Sequence, residues 1–253
     1  MFRSVLLLCG AVLVLGVSSA SAVSIIDLTT LGASVTAAGA TWNEVVSVPT
    51  GTGNYQPFER LQHNGTEQGW NNDLNPSPLD TDHAWTTSLL LSSLQSVNGY
   101  YVFNLDMNEV NSDPDWLVSL DKLQLYTAST PNITGTQLSD LSGAASLRYD
   151  MDAGGDYTVY LNGNLQQGSG HDDMEVLIPT SYFSGAAPTD YVYLYSQFGL
   201  QGGGYATSDG FEEWKALRGL NAPPPPPDVP EPSTMLLLGG GLLGMAGLRI
   251  RKK

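Results

Sequence analysis

Asp150, Asp152 and Asp156 offer hard carboxylate oxygens around the Ala153-Gly154-Gly155 turn, the donor type that Ca²⁺ takes. On a strand Asp150 and Asp152 project to one face, and Asp156 returns after the turn. Gly154 stands where a Ca²⁺ loop would place a third ligand, so a solvated turn is the competing reading. His171-Asp172-Asp173, beside Gly168-Ser169-Gly170, reads either as an additional ligand set or as a polar loop. Tyr191, Tyr193 and Tyr195 share one face of a strand, with Val192, Leu194 and Phe198 on the other. Such a strip can stack on sugar rings as a glycan-binding face, or it can lie at a core margin under a covering loop.

A catalytic reading asks for a placed nucleophile, base and orienting group. His63, His83 and His171 are scattered, no Gly-x-Ser-x-Gly elbow occurs, and with 25 acids no single carboxylate pair is informative. No catalytic residue is therefore assigned, and the enzymatic alternative is a glycoside hydrolase working through two carboxylates. Cys9, the one cysteine, lies in an N-terminal apolar run that leaves with a cleaved signal. Disulfides, thiol chemistry and thiolate-bound zinc are thereby excluded from the mature chain. No cofactor is required by the sequence, and Ca²⁺ is the ion its oxygen donors suit. Of the ten Lys and Arg, Arg3, Arg249, Arg251, Lys252 and Lys253 sit in the terminal segments, while all the acids lie between Asp27 and Glu231. So acidic a passenger has no footprint for nucleic acid or for anionic lipid.

The elements that must carry these groups read as strands. Tyr101 to Asn108, Leu147 to Asp152 and Tyr157 to Asn162 alternate apolar and polar residues, and Met174 to Ile178 does so less cleanly. Ala153-Gly154-Gly155 has the character of a hairpin turn. Further breaks fall at Thr50 to Asn54, Asn64-Gly65, Asn162-Gly163-Asn164 and Gly202-Gly203-Gly204. Phe211-Glu212-Glu213-Trp214 reads as a closing strand with its two acids outward or paired with Arg218. Helix is expected to be scarce. The fold class expected for residues 23–222 is mainly β, an antiparallel jelly-roll-like β-sandwich, followed by a single C-terminal transmembrane sorting helix.

The two ends are of a different kind. Residues 1–22 run from a single positive charge through an apolar stretch to Ala20-Ser21-Ala22, the small-residue pattern cut by signal peptidase after passage through the secretory translocon. Residues 223–229 are a Pro-rich linker with polyproline II character. Residues 230–253 begin with Pro230, Glu231 and Pro232, continue as a Gly-rich apolar segment and end in Arg249, Arg251, Lys252 and Lys253. Roughly 14 helical residues at 1.5 Å each reach about 21 Å, short of a hydrocarbon core of about 30 Å. That segment suits transient insertion in the inner membrane, with the basic stop on the cytoplasmic side.

This order of features resembles the PEP-CTERM sorting signal. The resemblance implies a Gram-negative exporter and an exosortase, a membrane protease with a catalytic cysteine, that cuts near Pro230-Glu231-Pro232. The passenger would then be secreted or left at the cell surface, in contact with extracellular polysaccharide. Within the passenger, the blocks Pro57 to Gln62, Asn64 to Asn71, Leu117 to Gln124, Tyr149 to Asp156, Gly168 to Met174, Tyr191 to Gly199 and Asp209 to Trp214 resemble a group of PEP-CTERM surface proteins that has no established activity. Trp70 departs from that group, which carries Tyr there. The expectation is a non-catalytic surface or matrix protein, with a Ca²⁺-dependent carbohydrate-binding module as the alternative.

Overall fold

The computed structural model describes residues 22–46, 56–109, 116–166, 170–208 and 210–219. In chain order the strands are β1 (Ser24–Asp27), β2 (Ser34–Ala37), β3 (Ala40–Glu44), β4 (Glu59–Leu61), β5 (Asn64–Gly65), β6 (Glu67–Trp70), β7 (Leu89–Leu90), β8 (Ser96–Val97), β9 (Tyr100–Met107) and β10 (Leu117–Ala128). After the α-helix α1 (Leu138–Ala144) come β11 (Ser146–Asp150), β12 (Tyr157–Asn162), β13 (Met174–Pro179), β14 (Tyr191–Phe198), β15 (Thr207–Ser208) and β16 (Glu212–Ala216). The chain is mainly β, as its alternation requires. In β13 the inward positions Met174, Val176 and Ile178 are fully buried while Glu175 and Leu177 are half-buried.

The strands form two large sheets. The first runs β1-β12-β10-β14-β6, and the second runs β2-β3-β13-β9-β16-β4. Pairing is antiparallel throughout except between β1 and β12. From β4 onward the long strands cross between sheets: β4, β9, β13 and β16 lie in the second, and β6, β10, β12 and β14 in the first. One hydrophobic cluster takes side chains from both, including Leu120, Val159 and Leu194 from the first and Trp42, Phe103 and Trp214 from the second.

A second cluster lies on the other face of the first sheet. The chain from Ser129 to Ala145, with α1, brings Ile133 and Leu141 onto Trp70, Tyr126, Tyr193 and Tyr195. The Trp70 indole N–H donates to the Ile133 carbonyl at 2.8 Å, and the Tyr193 hydroxyl donates to the Thr130 carbonyl at 2.6 Å.

The turn at Ala153 to Gly155 does not close a hairpin. Both β11 and β12 pair with β10, β11 against Gln124 to Thr127 and β12 against Leu117 to Leu120. They run end to end along β10, and the residues between them bulge out of that strand. Met151 of the bulge is buried in the main core, its amide held by the Leu123 carbonyl at 3.1 Å. Among the described residues no helix is long and apolar enough to cross a membrane. Ala20, the Pro-rich linker and the whole segment 230–253 lie outside the described residues, whereas Ala22 is described and exposed.

Candidate functional site

The acidic bulge and its surroundings form a surface pocket of about 480 Å³. Its walls include Gly39, Arg148, Asp150, Gly154, Tyr157 and Tyr182. Gly39 has a left-handed backbone (φ +73°), and a Cβ there would collide with the Tyr182 hydroxyl, so glycine is what lets this ring close the rim. Tyr182 packs edge-on against buried Tyr149 at 5.3 Å between centroids and remains 39% exposed. Arg148 is fixed from behind: its Nε donates to Thr127 Oγ1 at 2.6 Å and its Nη1 to the Ser184 carbonyl at 3.3 Å. Two phenols, a guanidinium and a carboxylate around one concavity supply both stacking faces and hydrogen-bonding groups.

The three acids of the bulge are spent largely on local structure. Asp150 Oδ1 accepts from the Asp152 amide at 3.0 Å, and its Oδ2 accepts from Gln124 Nε2 at 2.8 Å. Asp152 Oδ1 accepts from the Tyr157 amide at 3.0 Å, and partial burial raises the Asp152 carboxyl above its ordinary range. Asp156 is exposed, and its carbonyl accepts from the Ser24 amide at 2.7 Å. Among the described residues no three His, Cys, Asp or Glu side chains stand around a common point as a metal-ligand set, and Asp150, Asp152 and Asp156 are no exception.

The tyrosine strip lies beneath a cover. Tyr191, Tyr193 and Tyr195 do share a face, but Tyr193 and Tyr195 are 1% and 2% exposed and Tyr191 is half-buried. The segment carrying Ile133 and Leu141 occupies the surface that a sugar would need. These rings therefore form no open glycan face. Burial drives the Tyr193 hydroxyl up to about 12.

What the sequence did not single out is a set of interior carboxyls. On β16, residues Glu212, Trp214 and Ala216 point inward together, so Glu212 is fully buried while Glu213 faces out, where Arg60 Nε lies at 3.5 Å. The two acids are thus split between opposite faces, not both outward. Glu59 of β4 and Glu67 of β6 are likewise buried, at 0% and 1% exposure. Burial raises the Glu59 and Glu212 carboxyls well above their ordinary range and brings Glu67 to about 7. A separate pair lies by β9. Asp106 Oδ2 accepts from the Gly170 amide and Asp173 Oδ2 from the Met107 amide, each at 2.7 Å, and burial raises both carboxyls, Asp106 to about 7. Of these acids Glu212 is marked by its phase, which it shares with buried Trp214 and Ala216, whereas Asp106 alternates with core-facing Leu105 and Met107 and reads as a solvated position.

The described residues form a mainly β body, and the segment that follows them carries a sorting tail. The tail is that of the PEP-CTERM protein-sorting motif, which matches residues 228–252 and includes Pro230, Glu231 and Pro232. The motif makes the chain a secreted, surface-directed protein and an exosortase its processing partner. Neither a curated protein nor a solved structure matches the chain.

Proposed function

We propose that the passenger is a non-catalytic surface or matrix protein that associates with extracellular polysaccharide after passing through the translocon, losing residues 1–22 to signal peptidase and being cut by exosortase after transient anchoring in the inner membrane. The observation that carries this reading is the sorting-motif match at 228–252. The passenger itself is read as a jelly-roll β-sandwich. Its support is the strand order β4-β16-β9-β13 opposite β6-β14-β10-β12, with the chain alternating between sheets around one shared core. Mass spectrometry of the mature protein should find neither the first 22 residues nor the segment beyond Ser233. Recovery of an intact C-terminal Lys253 from cells with active exosortase overturns the reading, and release of reducing ends from matrix glycans overturns its non-catalytic part.

The second reading is a carbohydrate-binding module, and the pocket beside Asp150 favours it. Tyr182 and Tyr157 offer ring faces, while the anchored Arg148 and Asp150 offer hydrogen bonds to hydroxyls. In calorimetry against polysaccharide from the producing cells, Tyr182→Ala should weaken binding about tenfold, the 1.4 kcal/mol order expected of an aromatic anchor. Unchanged affinity in both Tyr182→Ala and Tyr157→Ala places the sugar elsewhere. Ca²⁺ at Asp150, Asp152 and Asp156 belongs to this reading only if the ion strengthens glycan binding.

A further inference from the structure

Where the last strands of the two sheets meet, at β4 and β6, the interior holds glutamates instead of hydrocarbon. Glu212 of β16 is 0% exposed, and its carboxyl lies in hydrogen-bonding contact with those of Glu67 from β6 and Glu109 from the chain just beyond β9. Among the described residues no donor reaches either oxygen of Glu212, Oε1 of Glu67 or Oε1 of Glu109. Ionised carboxylates only accept hydrogen bonds, whereas a protonated carboxyl donates one O–H. Buried together as anions they would repel one another without hydration. A proton held on the carboxyls themselves removes that repulsion and supplies the donor.

The outer oxygens of the same cluster hold a small flap. Glu67 Oε2 accepts from the His63 amide at 2.8 Å, and Glu109 Oε2 accepts from the Ser208 amide at 2.8 Å and from its hydroxyl. His63 stands just ahead of β5 and Ser208 ends β15, and these two strands pair in a sheet of their own, apart from the two large ones. Thr207 Oγ1 donates to the His63 carbonyl at 2.8 Å. Gly199, with φ +84°, passes so near the Gly65 carbonyl that a Cβ there would collide with it. The flap is thus tied to the body through the two glutamates that meet at Glu212.

We propose that Glu212 is a proton-loaded clasp: its carboxyl shares a proton with Glu67 and Glu109, and loss of that proton releases the β5–β15 flap from the sheet edge. The ionisable groups facing the clasp are Glu67 on β6, Glu59 on β4, Glu109 beyond β9 and Asp80 beside Glu67, all of them acids. His63 is exposed, with its ring Nδ1 3.0 Å from the Thr66 carbonyl, and Arg60 lies with Glu213 on the opposite face of the sheet. Burial raises the Glu212 carboxyl well above its ordinary range and brings Glu67 to about 7. Opening the flap returns these groups to water, where a glutamate titrates near 4.5. Between the two values opening releases protons, so its equilibrium constant rises about tenfold per pH unit for each proton released. The clasp is closed in mildly acidic medium and loosens as pH passes neutrality.

The test follows amide hydrogen exchange in the exported protein across this pH window, with the intrinsic exchange rate divided out. The amides of residues 63–66 and 205–208 should open more readily than those of β9 and β13, and their opening constant should rise roughly tenfold per pH unit up to about 7 and then level. Glu212→Gln puts a permanent N–H donor where the proton stood and should flatten that rise. Glu67→Gln keeps an oxygen for the His63 amide while donating to Glu212, so it should flatten the rise too and carries the test should Glu212→Gln fail to fold. Circular dichroism checks folding. Opening that is independent of pH overturns the proposal, as does a rise that persists unchanged in either folded variant. So do flap amides that exchange only together with β9 and β13, or the absence from the parent's infrared spectrum at about pH 6 of any carboxylic-acid C=O stretch, a readout that needs no variant.

Discussion

The exported protein should lose stability as pH rises from about 4.5 to about 7, the reverse of a domain held by paired carboxylates. The direction follows from burial. Glu67 moves from an ordinary 4.5 to about 7, and Asp106 from 3.8 to about 7. Burial raises the carboxyls of Glu59, Asp173 and Glu212 in the same direction. A group with a raised folded-state pKa keeps its proton in the folded protein after the unfolded chain has released it. Its stabilisation is complete below the unfolded value and disappears as pH passes the folded value.

For Asp106 alone the loss is about 4 kcal/mol, or about 10 °C in melting temperature for a domain of this size, and Glu67, which titrates as a pair with Glu212, adds to it in the same direction. The groups facing Glu67, namely Glu212, Glu109 and Asp80, are all acids, and those facing Asp106 include Glu213 and Asp172, so no cation among these neighbours opposes the trend. Asp106→Asn keeps an acceptor for the Gly170 amide and should flatten part of the fall. Melting temperature measured across this window decides the matter, and a rise with pH removes the account of these carboxyls as protonated interior groups.

How far the fold is legible in the sequence depends on the range of the signal. Tyr157–Asn162 is a strand with the bounds its alternation implies, and β9 and β13 agree within a residue. In those strands one face meets the core and the other does not, so period two survives in the sequence. The longest strand, β10, hides its period because bulges at Leu120/Lys122 and Leu125/Tyr126 shift the register, putting Leu120 and Leu123 both in the core. The Gly-Gly turn was recognisable as a turn but not as a bulge between collinear strands. Whether β11 pairs with β12 or with β10 is decided by a partner more than twenty residues away.

The candidate sites divide along the same line. That Tyr191, Tyr193 and Tyr195 share a face is local information, and it is correct. That the face is covered depends on Ile133 and Leu141, which arrive from some 60 residues upstream. Asp150 was legible as a functional candidate, yet its pocket is completed by Gly39 and Tyr182 from two other segments. Glu59, Glu67 and Glu212 were not legible as a set of interior acids, because they come from three segments that meet only in the fold. Only Glu212, in strand phase with Trp214 and Ala216, carried a local sign of burial.

Trp70→Ala should destabilise the protein by about 3–5 kcal/mol, the range for truncating a buried large aromatic. The side chain is fully buried between β6 and the covering segment, and its indole N–H is one of two donors on the Ile133 carbonyl, the other being Asn72 Nδ2 at 3.1 Å. Trp70→Phe keeps most of the volume and leaves Asn72 to satisfy that carbonyl, so its cost should be about 1–2 kcal/mol. Urea unfolding measures the difference, and hydrogen exchange locates it. In Trp70→Ala the amides of residues 129–145 should exchange faster than those of β9 and β13, whose core contacts do not involve Trp70. Uniform acceleration across both sheets means that the cover and the main core open as one unit. A cost below 1 kcal/mol means that Trp70 does not anchor the cover, and the tyrosine face then becomes accessible by local opening. The variant thus separates a strip of tyrosines that holds a lid in place from one that a ligand can reach.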